Sequence, residues 1–348
     1  MGELLRYSRV FLLCWITIGS LTACNTIVDV ILDGTSDSDC GRDDSSVTFK
    51  KVAYWDSDDM TDIDVVDYDQ LTHLIYGYLQ VNADGSLVDF DESEENDFTE
   101  MISYAQSEGV EVLVSIGGTD AGTSSFRTIA GSSSLTNTFV ANVIDFLEYY
   151  DLQGADLNWQ TPQSDAQGEL FEKLIEELSA ELWGNGYLLT ASLASGEDED
   201  IADVIDSSVF DYIDFANIRA FDSEDSDDLH SSVADAQNAV DYWTGRCLVQ
   251  NKLVLGIPFY SAGDAVESYN DIVEDDPDNA CVDETAYNGN DINYNGITTV
   301  IEKTEYAMDH TGGIMIQSLQ QDAYDNSDYL LLNVIDKTES GNGVDICN

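Results

Sequence analysis

Short apolar runs recur along the chain, separated by longer stretches in which apolar residues fall three and four positions apart. The runs are VAYW from Val52, HLIYGYLQV from His73, VEVLVSIGG from Val110 and GADLNW from Gly154. LLTASLA from Leu188, YIDFANIRAF from Tyr212, KLVLGIPFY from Lys252 and GGIMIQSL from Gly312 complete the series. Most are rich in β-branched or aromatic residues and bounded by Gly, Asp or Ser, which predicts strands. Between them, the stretches from Asp97, Thr138 and Gly168 carry a clear helical period, and 231–243, 298–308 and 329–334 a looser one. Strand–helix alternation repeated eight times predicts a parallel sheet, and eight units close into a (β/α)8 TIM barrel. An open doubly wound sheet is the alternative. The stretch 261–295 reads as one long irregular loop, so the barrel is a single domain without a sizeable insertion domain.

The first residues break this pattern. Arg6 and Arg9 precede an apolar run at 10–18, short against the ~20 residues of a membrane-spanning helix. Leu21-Thr22-Ala23-Cys24 resembles a bacterial lipobox. That resemblance implies cleavage before Cys24 and acylation of its thiol and new amine, a stable membrane anchor. A plain secretory signal is the alternative. Asn25 follows the cysteine, a residue that accompanies outer-membrane sorting in Gram-negative lipoproteins. The expected organisation is a lipoprotein signal peptide at 1–23, an acidic Ser/Asp-rich tether at 24–48 and the barrel at 49–348. The protein is then exported and lipid-anchored in the cell envelope, at the outer membrane.

Composition narrows the partners. Of 348 residues, 69 are Asp or Glu and 12 are Lys or Arg, a formal net charge of −57. Such a surface repels nucleic acid and other polyanions, and suits a saline solvent in which charges are screened within ~8 Å or less. Asp-rich runs such as SEDSDD lack the glycine and ligand spacing of a calcium loop, no zinc spacing occurs, and no metal or cofactor is expected. Cys14 leaves with the leader and Cys24 carries lipid. Cys40, Cys247, Cys281 and Cys347 remain as disulfide candidates, with three possible pairings.

The chemistry is concentrated in DLQGADLNWQTP, which starts at Asp151. It resembles the strand-four signature of the family 18 glycoside hydrolases, the chitinase family: Asp-Gly-x-Asp-x-Asp-x-Glu, then an aromatic and Pro. Gly154, Asp156, Trp159 and Pro162 stand where that signature wants them. Gln153, Asn158, Gln160 and Thr161 replace the first Asp, the third Asp, the Glu and the aromatic. Other landmarks follow in order: Tyr76 in strand two, Ser115-Ile116-Gly117-Gly118 ending strand three, Asp214-Phe215-Ala216-Asn217 opening strand six, Gly256 to Tyr260 in strand seven and Gly312 to Ile316 in strand eight. The resemblance covers about 51–319.

In this family the Glu protonates the leaving oxygen while the substrate's own acetamido group attacks, outside the usual two-carboxylate scheme. The neighbouring Asp orients that acetamide. Residues two apart on a strand face the same way, so Asp156, Asn158 and Gln160 line one barrel face, the last at the carboxy-terminal mouth. A carboxamide has no acidic proton to give. Losing a general acid costs ~10²–10⁴ in rate, and a neutral Asn158 supplies no charge to the developing cation. Further departures follow. Strand six has Arg219-Ala220-Phe221-Asp222 where the family has Met-x-Tyr-Asp, and Gln317 stands where strand eight has a Trp under the sugar.

No catalytic residue is therefore expected. The leading expectation is a non-catalytic, chitinase-like surface lipoprotein binding a glycan that contains N-acetylglucosamine. Its candidate contacts are Tyr54, Trp55, Trp159, Gln160, Asp222, Tyr260 and Gln317. Packing is the competing reading for Trp159, Phe259 and Tyr260, and Asp156 reads as a structural carboxylate paired with a neighbour or with Arg219. Two alternatives stay open. One is an active chitinase or endo-β-N-acetylglucosaminidase with a relocated acid, such as Asp120, Glu197 or Asp222. The other is a protein-binding scaffold whose mouth Arg219 closes.

Overall fold

The apolar runs become eight parallel strands: β1 (Lys50–Asp56), β2 (His73–Leu79), β3 (Glu111–Gly117), β4 (Gly154–Asn158), β5 (Leu188–Ala194), β6 (Phe215–Arg219), β7 (Leu253–Pro258) and β8 (Gly313–Gln317). β1 pairs with both β2 and β8, which closes the barrel. The structure is a computed structural model that describes residues 48–57, 63–222 and 230–347. The helices are α1 (Glu92–Ser107), α2 (Asp120–Ala130), α3 (Ser133–Tyr150), α4 (Asp165–Asn185), α5 (Glu199–Ala202), α6 (Val233–Gly245), α7 (Tyr269–Asp275), α8 (Ile297–His310) and α9 (Leu331–Glu339).

Period two divides each strand between two cores. Val52, Ile75, Leu113, Phe215, Val254 and Met315 face the axis and pack together inside the barrel. The alternate residues, among them Ala53, Leu74, Val112, Ile218 and Leu255, pack outward into the helix layer. Turn chemistry sets some boundaries that periodicity leaves open. α1 starts five residues before Asp97 because Asp91 and Glu94 form a reciprocal capping box. α2 escapes the periodic reading altogether. Its sequence, DAGTSSFRTIA, is small and polar, and the fully buried Phe126 and Ile129 anchor it.

The stretch 261–295 is not irregular. It holds α7 and a three-stranded antiparallel sheet of Ala262–Gly263, Glu284–Tyr287 and Asn290–Asn293. Its alternation is carried by Asp, Asn and Thr, which gives a hydrophobicity pattern little to detect. Cys281, near the middle of this segment, is disulfide-bonded to Cys347 across 66 residues, a cross-link worth ~4 kcal/mol in chain-entropy terms. Cys247 is also disulfide-bonded. The leader, Cys24, Cys40 and the tether up to residue 47 lie outside the described residues.

One buried cation braces the loop that follows β6. Lys303 on α8 is fully buried, and its Nζ donates to Ser231 Oγ (2.6 Å), Asn295 Oδ1 (2.7 Å) and the Ser231 carbonyl. Burial lowers its pKa from 10.5 to about 7, although Asp235 and Asp283 pull it upward. The unfolded chain keeps this proton up to pH 10.5 and the folded chain releases it near 7. Within that window the unfolded state binds more protons, so this group makes stability rise with pH. A tenfold change in proton affinity is worth about 1.4 kcal/mol, so the effect is on the order of a few kcal/mol. The Tm of the wild type should therefore climb relative to that of Lys303→Met as pH increases across this window. Parallel Tm curves would contradict the assignment.

Candidate active site

Asp156 and Asn158 stand one above the other on the axial face of β4, and Gln160 continues the line past the strand's end. Asp156 is fully buried. Its carboxylate accepts hydrogen bonds from Thr190 Oγ1 (2.7 Å), Ser115 Oγ (2.7 Å), the Tyr54 hydroxyl (2.9 Å) and Asn217 Nδ2 (3.5 Å). These donors come from β5, β3, β1 and β6. Burial raises the Asp156 pKa and the four hydrogen bonds oppose that rise. Burial, and then the charge of Asp156, hold the Tyr54 hydroxyl well above its ordinary pKa, so it remains a donor. Arg219, the partner expected from the sequence, does not take part in this network.

Above it, Asn158 is 1% exposed, and among the described residues its Oδ1 has no hydrogen-bond partner; the Asn217 Oδ1 has none either. The two glycines ending β3 shape this level. A Cβ on Gly117 (φ +111°) would lie 2.4 Å from the Asn158 carbonyl oxygen, and one on Gly118 (φ +67°) 2.3 Å from the Tyr78 ring. Gly118 N–H donates to the Asn158 carbonyl at 2.8 Å. Gln160 is half-buried, and its carbonyl accepts a hydrogen bond from Thr123 on α2.

The β6 end is rebuilt. The Phe221 ring is buried over Gly256, where a Cβ would come within 2.7 Å of it. Arg219 does not reach across the barrel. Its guanidinium lies 5.6 Å from the Phe221 ring and 3.5 Å from the Asp222 carboxylate. Asp222 also accepts from the Tyr260 hydroxyl (2.7 Å) and faces His230 Nε2 (3.3 Å). Burial would raise its pKa, but His230, Tyr260 and Arg219 outweigh it and the pKa falls below the usual carboxylate value. Near neutral pH Asp222 is an ionised acceptor. On β8, Gln317 Nε2 donates to Ser318 Oγ (3.2 Å) and the Tyr78 hydroxyl (3.4 Å).

Of the candidate glycan contacts, Asp222 and Tyr260 are hydrogen-bonded to each other at the mouth, and Gln160 and Gln317 stand at the ends of β4 and β8. The other three are turned away from the mouth or lie beneath it. Trp55 and Trp159 point outward into the helix layer, 0% and 1% exposed, and Trp159 stacks on Phe126 at 5.5 Å. Tyr54, 2% exposed, sits under the mouth and uses its hydroxyl on Asp156. Their strand parity and depth exclude them as platforms for a sugar. Tyr78, Thr123, Thr190 and His230 join the site without having been expected from the sequence. Tyr78 carried a signal, because its ring needs the Gly118 already recognised in SIGG. Thr190 follows from strand parity, whereas His230 follows a segment without periodicity.

A closed eightfold barrel with a buried β4 carboxylate, its hydroxyl donors and a polar mouth defines a chitinase-like (β/α)8 domain. The sequence profile of the Glycosyl hydrolases family 18 matches residues 50–322, and the chain belongs to that family. It is 26% identical to an endochitinase of Brugia malayi over 220 residues, 55% of this chain and 44% of that one. The chain thus spans less than half the length of that relative. The chitinase ChiB from the chitin utilization locus of Flavobacterium johnsoniae superposes with a TM-score of 0.73 at 26% identity, covering 85% of this chain and 95% of that chain. Human YKL-39, a pseudo-chitinase with retained chitooligosaccharide binding properties, shares the fold with a TM-score of 0.72 at 20% identity, covering 84% and 100%.

Proposed function

We propose that this chain is a chitinase-like protein that holds an N-acetylglucosamine-containing glycan at the barrel mouth without cleaving it. The observation that carries this reading is the contrast along β4 and just past its end. Asp156 keeps four donors, while Asn158 and Gln160, where the chemistry needs carboxyl groups, are amides. A relocated acid finds little support. Asp222 is ionised as an acceptor, Asp156 is sealed beneath Asn158, and Glu197 lines a cavity between the β5 end and α6, bordered by Phe221. Among the described residues the buried Asn158 Oδ1 has no hydrogen-bond partner, an acceptor left over where the family has a carboxylate. Titration calorimetry with chitohexaose is expected to give saturable heat, weakened about tenfold in Gln317→Ala, the loss of one polar contact. No heat at millimolar ligand would favour the alternative of a protein-binding scaffold with a closed mouth.

We further propose that Cys24 is lipidated and anchors the protein in the cell envelope, at the outer membrane. Labelled palmitate should enter the wild type and not Cys24→Ser, and equal labelling of the two would rule the anchor out.

A further inference from the structure

The connection between β2 and α1 lies against α3, and together they wall a groove of about 910 Å3 on the barrel flank. α3 runs toward the amino-terminal end of β4, so the Tyr149 end of this groove faces away from the mouth. Asn142 Nδ2 donates to the Gly85 carbonyl at 2.8 Å and pins the connection to the helix. The floor is a succession of rings stepping out of the core. Phe98 is fully buried, and centroid separations of 5.1, 5.8, 4.8 and 4.7 Å lead through Phe90, Phe146 and Tyr150 to Tyr149. Tyr149 is 73% exposed.

The rim is acidic. Asp89, Glu95 and Asp145 line the groove, and among the described residues no Lys, Arg or His does. The Tyr150 hydroxyl donates to Glu95 Oε1 at 3.1 Å and the Tyr149 hydroxyl approaches the same oxygen at 3.5 Å, so a carboxylate stands at the edge of an exposed ring. An aromatic face offers a flat apolar surface to the C–H face of a pyranose, and its quadrupole attracts a cation. The carboxylates favour that cation further and repel an anionic glycan.

We propose that this groove binds glucosamine oligosaccharides carrying free amines, as in a de-N-acetylated β-1,4 chain. It is a second glycan site, independent of the mouth. The sugar ring lies on Tyr149 and its ammonium pairs with Glu95 and Asp145. A fully N-acetylated chain lacks the cation and is the weaker ligand here.

Calorimetry with a glucosamine hexamer, chitohexaose and spermine tests this, in salt high enough to screen the acidic surface at large. One hexamer should bind per chain, and Tyr149→Ala and Glu95→Gln should each weaken it about tenfold, the loss of a single ring or ion contact. Chitohexaose binding should not change in Tyr149→Ala. Wild-type affinity for the glucosamine hexamer in both variants would overturn the site, as would spermine binding with the same pattern of losses, which would mark non-specific attraction of cations. Absence of any chitohexaose binding would count against the mouth reading and leave the groove standing on the glucosamine hexamer.

Discussion

Gln160→Glu combined with Asn158→Asp should raise hydrolysis of a fluorogenic chitobioside by about 10²-fold or more above the wild-type background. The double change returns a proton donor to the mouth and a carboxylate to the position beneath it. Either substitution alone should recover a small fraction of the gain, because groups that act as a unit are far from additive. The new carboxyl at 158 would stand directly above Asp156 in a site 1% exposed, so the two would share protons. Its introduction should therefore give a pH profile whose acidic limb belongs to the pair. Full family activity should not return. The Phe221 ring fills space over Gly256 and offers no hydroxyl, and Gln317 offers no flat floor. Adding Phe221→Tyr should increase the rate again. A double variant indistinguishable from wild type, with an intact circular dichroism spectrum, would show that the mouth is closed to substrate.

Asp156→Ala should be the most damaging substitution at the site for stability. It removes the acceptor for the Tyr54, Ser115 and Thr190 hydroxyls and the Asn217 amide in the middle of the barrel. Stranding buried polar groups in this way costs ~3–5 kcal/mol, which for a domain of this size lowers Tm by about 10 °C. Asp156→Asn keeps one acceptor oxygen and should cost less. The sign of the pH effect also follows. The folded pKa of Asp156 is raised, so this group favours the fold most below the unfolded carboxylate value, and that contribution is lost as pH rises through its folded pKa. Asp322, fully buried and raised from 3.8 to about 6 chiefly by burial, acts in the same direction. Melting of wild type and Asp156→Asn over a pH series that starts below the unfolded carboxylate value checks this, because the variant cannot titrate at this position. The Tm of the wild type relative to the variant should be highest at the acid end and decline as pH rises. A pH-independent gap would contradict it.

Where burial on alternate residues drives the structure, the pattern of the chain was enough. All eight strands lie within or beside the apolar runs, and the degenerate β4 signature lies at the mouth where parity places it. The failures have physical causes. α2 buries two large apolar side chains, Phe126 and Ile129, beside small ones and a Thr119 cap, a signal too sparse for periodicity. Trp55 and Trp159 are large aromatics, and whether such a ring meets solvent depends on strand parity, which here turns both into the helix layer. The pairing of Arg219 with Asp222 rather than Asp156 depends on side-chain reach and depth. Neighbours in sequence beat neighbours across the axis. The small sheet at 262–293 is stabilised by backbone pairing and a disulfide, with little apolar alternation to announce it.

Prolonged incubation of the purified wild-type protein with chitohexaose, followed by mass spectrometry of the sugar, tests binding without cleavage most directly. The hexamer should stay intact while binding is saturable in the same sample. Shorter oligosaccharides accumulating in proportion to protein and time would contradict this, because a proton would then be reaching the leaving oxygen from a group other than Gln160.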